Sequence, residues 1–254
     1  MLVVISILGI LAALTVPALK NLGKSNASIS ASRQLLDGVG RARQLAMANR
    51  ATVYMVFVPT NFWGVLTGTN LNSPATTNLL DQQLNGYAFV SHGQLGDQPG
   101  RHLWHYLEPW HSLPNGTIIA AQKFSLSGTM GIPQWQTDYG HPAGTISNFA
   151  RSNIPFPMET STSTNLPFIA FNYLGQLTFD GVNLATRDEY IPLARANVGY
   201  ALDPSTKTPV IPATPLTAGA ISEMPPGNST NISYNIIHVD ALTGRAVLEF
   251  YKIQ

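Results

Sequence analysis

The chain opens Met1-Leu-Val-Val-Ile-Ser-Ile-Leu-Gly-Ile-Leu-Ala-Ala-Leu-Thr-Val-Pro-Ala-Leu19, a run without charge in which only Ser6, Gly9, Thr15 and Pro17 fall outside the apolar set. As a helix it would extend about 28 Å, close to the hydrocarbon thickness of a bilayer. A cleavable signal peptide needs a basic n-region before a shorter apolar run, and the stretch has none. So long an uncharged run is also unusual inside a soluble core. The helical pattern continues past it. Between Ser25 and Asn49, Leu35, Val39, Ala42 and Ala46 fall on one stripe, with Ile29 and Leu36 beside it, while Arg33, Asp37 and Arg41 stand four apart on another face. A helix from Met1 to about Asn49 would be on the order of 70 Å long. Pro17 inside it lacks an amide hydrogen and predicts a kink; Gly9, Gly23, Gly38 and Gly40 are further weak points.

Charge is scarce throughout. Lys, Arg, Asp and Glu make up 11% of the 254 residues, against about 25% in an average domain, which excludes a charged disordered tail protein. With 21 glycines and 18 prolines the chain is rich in turns, and a helical bundle is a poor expectation. The net charge of +1 hides an asymmetry: residues 1–50 hold six basic residues and one acidic, residues 51–254 eight and twelve. The basic residues are spread along a helix without interleaved aromatics, so nucleic acid is not expected as a partner. The absence of cysteine removes disulfides, thiol catalysis and Cys-ligated zinc.

From Thr52 the pattern turns extended. TVYMVFVP, Thr52 to Pro59, is apolar on both faces, as suits a strand sandwiched between the helix and another layer. Further strands are expected at Tyr87–Ser91, Thr117–Leu126, Pro167–Phe179 with a turn at Gly175, Ser233–Val239 and Arg245–Ile253. Asp240-Ala-Leu-Thr-Gly244 reads as a short hairpin loop with Gly at a positive φ. The whole predicts an α+β fold. A long N-terminal helix, membrane-spanning over 1–22 and amphipathic over 23–50, packs on an antiparallel β domain over 51–254, with loop excursions at about 61–114 and 203–231.

The run Met1 to about Leu22 resembles the N-terminal segment of type IV pilins and type II secretion pseudopilins. Arg41 to Pro59, PFIAFNYLGQLTF (Pro167 to Phe179) and HVDALTGRAVLEFYKI (His238 to Ile253) resemble the helix end, strands and closing hairpin of the H-type minor pseudopilins and related minor pilins. Together these cover about 90 residues. Mature chains of the family begin Phe-Thr-Leu-x-Glu, and that start, its leader and its processing site are missing here, the expected cause being a start codon assigned too late. The positive-inside rule applied to Lys20, Lys24 and Arg33 alone would place the large domain in the cytoplasm. The resemblance instead implies an inner-membrane, single-pass subunit with its large domain in the periplasm, or a subunit of a surface filament.

The resemblance further implies a minor pilin or pseudopilin whose partners are other pilin-like subunits, inner-membrane lipid and an assembly machinery. Leu2, Val3, Ile5, Leu8, Leu11 and Leu14 are the expected filament-core packing positions, with Gly9 and Pro17 letting the helix bend. Extracting such a run from lipid costs tens of kcal/mol at about 0.8 kcal/mol per methylene, unless helix-to-helix packing replaces the burial. The basic face of the helix is expected to meet lipid headgroups or acidic neighbours. The alternative from a different class is a single-pass anchored surface binding domain that never polymerises.

The densest chemistry is Arg101-His-Leu-Trp-His-Tyr-Leu-Glu-Pro-Trp-His111. Its three histidines and Glu108 are ligand types for zinc, yet the spacing fits no standard site, so no metal is expected. Trp104, Tyr106 and Trp110 read as a packed aromatic loop or as a recognition loop for glycan or protein. Asp180-Gly-Val-Asn183 and Asp188-Glu189 lack the spaced pattern of a calcium loop and read as solvated turns. Asn115-Gly-Thr117, Asn228-Ser-Thr230 and Asn231-Ile-Ser233 match the glycosylation acceptor pattern without implying function. No Gly-x-Ser-x-Gly, HExxH or phosphate-binding loop occurs, so neither a cofactor nor an enzyme is expected.

Overall fold

The computed structural model describes residues 27–59, 62, 74–93, 96–98, 103–124, 147–200, 202–206, 220–231 and 235–250. Helix α1 spans 27–49. It forms because its apolar residues recur at the helical period: Ala31, Leu35, Val39, Ala42 and Ala46 are all fully buried, while Arg33, Asp37, Arg41 and Gln44 line the exposed side. Gly38 lies on the buried side, where an added Cβ would come within 3.2 Å of the Tyr87 ring. The missing side chain therefore sets how closely α1 approaches the sheet. The helix ends at Arg50, which takes a left-handed φ of 50°, while the Ala51 amide donates back to the Ala46 carbonyl at 3.3 Å, a Schellman-type closure.

Strand β1 (Thr52–Phe57) follows at once and sits in the middle of the first sheet. That sheet runs β3-β2-β1-β7-β6, where β2 is Gly86–His92, β3 Trp104–Tyr106, β6 Ala150–Pro155 and β7 Ser163–Phe171. The short strands β4 (His111–Ser112) and β8 (Leu177–Thr178) pair with β2 and β7. The second sheet runs β10-β9-β11-β12 over Ala220–Glu223, Glu189–Gly199, Asn235–Val239 and Ala246–Phe250, with β5 (Thr117–Ile119) on β9. Every pairing among these strands is antiparallel.

Because side chains alternate along a strand, β1 divides its residues between two cores. Val53, Met55 and Phe57 join the α1 stripe, Ile169 and Phe171 of β7, and Ile191, Leu193, Ile237 and Val239 of the second sheet. Tyr54, Val56 and Val58 join Phe62, Leu79, Leu80, Phe156 and Phe168 on the opposite side. The β11–β12 hairpin loop is held by Asp240, which accepts from the Thr243 amide and hydroxyl, each at 2.7 Å. Gly244 there has φ 63°, and a Cβ would lie 2.0 Å from the Gly175 carbonyl oxygen in the β7–β8 turn.

The expected fold class, a long part-membranous helix laid on a sheet, is not what is found. Among the described residues the N-terminal helix is the short α1, antiparallel sheet predominates, and no helix is long and apolar enough to cross a membrane. The physical reason lies in the two kinds of signal that were joined. Residues 29–46 carry a helical period, which fixes a buried face. Met1–Leu19 is apolar at nearly every position, so it has no period, and only its length argued for helix. Residues 1–22, and with them Leu2, Val3, Ile5, Leu8, Gly9, Leu11, Leu14 and Pro17, lie outside the described residues.

The stretch read as the first excursion carries β2, β3 and β4, and the second carries β10 and a short helix at Asn228–Asn231. Strands β6 and β9 went unread for identifiable reasons. The β6 sequence ARSNIP has no apolar alternation, and β9 contains Pro192, which cannot donate to a ladder. Its carbonyl is still used, accepting from the Ala120 amide at 2.9 Å.

Candidate functional site

The helix–sheet seam gathers most of the polar chemistry of α1. Arg41 reaches Glu108 at 2.7 Å, and the other oxygen of Glu108 lies 3.2 Å from His111 Nε2, whose ring stacks on Tyr87 at 5.4 Å. Gln34 Nε2 donates to the Ser112 carbonyl at 2.8 Å. On the other flank Arg43 Nε donates to the carbonyls of Gly175 and Thr243, at 3.2 and 2.8 Å. At the N-terminal end Asn235 Nδ2 donates to Ser32 Oγ at 2.9 Å. The basic face expected to meet lipid or acidic neighbours is thus partly spent inside the molecule: Arg43 clamps two turns and Arg41 holds Glu108, while Arg33 and Arg50 stay exposed.

Two of the three aromatics of the loop, Tyr106 and Trp110, are anchored at their polar tips. The Tyr106 hydroxyl donates to the Pro155 carbonyl at 2.7 Å, and burial pushes its pKa well above the ordinary tyrosine value. Trp110 Nε1 donates to the Pro157 carbonyl at 3.0 Å, with its ring edge-on to Phe156 at 5.5 Å. Trp104 stacks on His92 at 4.4 Å and meets Tyr54 at 5.0 Å. Tyr54 is itself pushed up to about 12, first by burial and then by Asp180. All three aromatics are half-buried against the second core. A partner would meet Tyr106 and Trp110 at their edges, since their hydrogen-bonding tips are engaged within the chain.

The histidines of this stretch are kept apart. His102 lies outside the described residues. His105 sits between Asp97 and Glu159, at 3.2 and 3.3 Å, and His111 faces Glu108. Among the described residues no three His, Asp or Glu side chains come together as a metal site. Asp180 accepts the Val182 and Asn183 amides, at 2.9 and 2.6 Å, and the Asn183 side chain at 2.7 Å. The Asn183 amide is the largest cause holding its pKa below the usual carboxylate value. The carboxylate caps its own turn. Asn228 is buried, and its Oδ1 accepts the Arg195 amide at 2.6 Å.

Two clusters had no sequence signature. Lys123, 1% exposed, donates to the Ser147 carbonyl and to Glu189, and lies 4.9 Å from the centre of the Phe149 ring. Burial pulls its pKa below the ordinary lysine value, against the opposing pull of Glu189. His238 on β11 stands between Asp188 at 2.9 Å and Glu249 at 2.8 Å, stacked on Tyr190 at 4.6 Å. Both clusters join residues 50 or more positions apart, so no local spacing could have shown them.

Comparison of the chain with protein-family models, with curated proteins and with solved structures returns no match.

Proposed function

We propose that this chain is a minor pilin- or pseudopilin-type filament subunit, recruited through its uncharged N-terminal segment Met1–Leu19. The observation that carries the reading is one of adjacency. That uncharged segment lies just ahead of α1, which buries a single stripe in the two-sheet domain and leaves the stripe of Arg33, Asp37, Gln44 and Ala48 exposed. A subunit of this kind needs its apolar segment for inter-subunit burial and a folded head that leaves one helix face open to neighbours. The resemblance of Arg41–Pro59 and His238–Ile253 to pseudopilin segments adds support. The partners are other pilin-like subunits, inner-membrane lipid and an assembly machinery, and no catalysis is assigned.

The absence of native cysteine makes the test direct. Cysteines placed at Arg33 and Gln44, both on the exposed face of α1, should yield inter-subunit disulfides in filaments sheared from cells expressing the full chain. Leu8→Asp should abolish recovery in that fraction. If the chain stays wholly monomeric in the membrane fraction, the filament reading fails and the single-pass anchored binding domain takes its place.

A further inference from the structure

A cleft of about 490 Å³ opens where the two sheets meet, lined by Asp81, Gln83 and Asn85 ahead of β2, Asn115 in the turn before β5, and Asn197 on β9. Its size suits a small ligand. Its polar side chains are mostly amides drawn from three separate segments, and Gly116, Ile118, Ala196 and Val198 complete the wall. Gln83 is 1% exposed and Asn85 7%, yet Gln83 Oε1 and Asn85 Oδ1 have no hydrogen-bond partner among the described residues. The Gln83 orientation is fixed because its Nε2 donates to the Leu80 carbonyl at 2.8 Å. Between them Leu84 takes a left-handed φ of 60° and buries its side chain in the main core, which pins the two amides in place. Buried acceptors are rarely left unmet, and among the described residues nothing meets these two.

The lining also selects what kind of donor enters. A hard cation such as calcium takes six to eight oxygens with several carboxylates among them. Asp81 is the single carboxylate here, and one of its oxygens already accepts from the Tyr200 hydroxyl. Among the described residues no basic side chain lines the cleft, which leaves nothing there to hold an anion. An amide both donates and accepts, and so does a hydroxyl. We propose that the cleft binds a neutral polyhydroxylated ligand, one pyranose unit of a saccharide, held by the exposed side-chain amides of Asn115 and Asn197 at the rim, with the buried amides of Gln83 and Asn85 forming the floor beneath it. This assignment does not rest on the filament reading.

The test is saturation-transfer NMR on the full-length chain in a sugar-free detergent, against the methyl glycosides of glucose, galactose, mannose and N-acetylglucosamine. The expected result is transfer to at least one pyranoside, lost in the double variant Asn115→Leu/Asn197→Leu. Both positions are exposed, so that variant should keep the circular dichroism spectrum and thermal midpoint of the parent. No transfer from any of the four sugars would overturn the proposal. Transfer that persists in the double variant would overturn it equally, by placing the sugar elsewhere. Terbium luminescence that depends on Gln83 would replace the saccharide with a cation.

Discussion

Replacing Glu189 by Gln should destabilise the fold far more than replacing its partner Lys123 by Met. Lys123 is 1% exposed while the Glu189 side chain is 16% exposed and lines an open cleft. Glu189→Gln therefore strands an ammonium among Phe124, Phe149 and the Ser147 carbonyl, where water cannot reach it. Breaking a buried pair from one side costs about 3–5 kcal/mol, or roughly 6–20 °C of melting midpoint for a chain of this size. Lys123→Met keeps the volume and removes the buried charge. Glu189 can then hydrate through the cleft, and the loss falls to about 1–3 kcal/mol for the unpaired acceptors.

The pH dependence separates the two variants. Burial holds Lys123 below its ordinary value in the fold, and Glu189 pulls it back up. Between the folded and unfolded values the unfolded chain binds the extra proton, so stability rises with pH through that window. Glu189→Gln lowers the bottom edge of the window, and the variant should recover stability as pH rises from neutral. In Lys123→Met that contribution disappears. Denaturant unfolding of both variants across neutral to alkaline pH is the assay. A Glu189→Gln protein within about 1 kcal/mol of the parent, or one less damaged than Lys123→Met, would refute the reasoning.

Three further outcomes are expected. Leu35→Ala, at a fully buried position of the α1 stripe, should cost about 2–5 kcal/mol by calorimetry or denaturant, whereas Arg41→Ala should cost under about 1 kcal/mol because the Arg41 side chain is itself 53% exposed. Gly244→Ala combines a left-handed φ with a clash on the Gly175 carbonyl and should cost at least about 2–4 kcal/mol; proteolysis within the loops it joins would report it. Tyr106→Phe removes only the bond to Pro155 and should lower stability by about 1 kcal/mol, with the near-ultraviolet signature of Trp104 and Trp110 retained.

The parts of the fold legible in the sequence are those where a periodic pattern meets a single burial geometry. Leu35, Val39, Ala42 and Ala46 fall on one helical stripe and are buried together. The unbroken apolar run of Val53–Phe57 belongs to a strand covered on both faces. The Asp240–Gly244 loop carries its own turn chemistry in the Asp240 hydrogen bonds and the Gly244 φ. Where the pattern has no period the reading runs out. Uniform apolarity over Met1–Leu19 gave length without a face, Pro192 disguised β9, and the polar β6 offered no alternation because it lies at the end of its sheet.

The candidate sites divide along the same line. The sequence by itself determined that the chain holds an uncharged leading segment, an amphipathic helix and a charge-poor β-rich remainder without catalytic motifs, because composition and short-range spacing are local quantities. Only the tertiary structure decided that Tyr106 and Trp110 turn their polar groups inward, that Arg43 clamps two distant turns, that Lys123 is buried on Glu189, and that Gln83 and Asn85 share a cleft with Asn115 and Asn197. Each of these depends on which strands pair. Pairing is set by the summed burial of two cores and not by any one segment, so residues more than 100 positions apart become neighbours with no trace in their own local sequence.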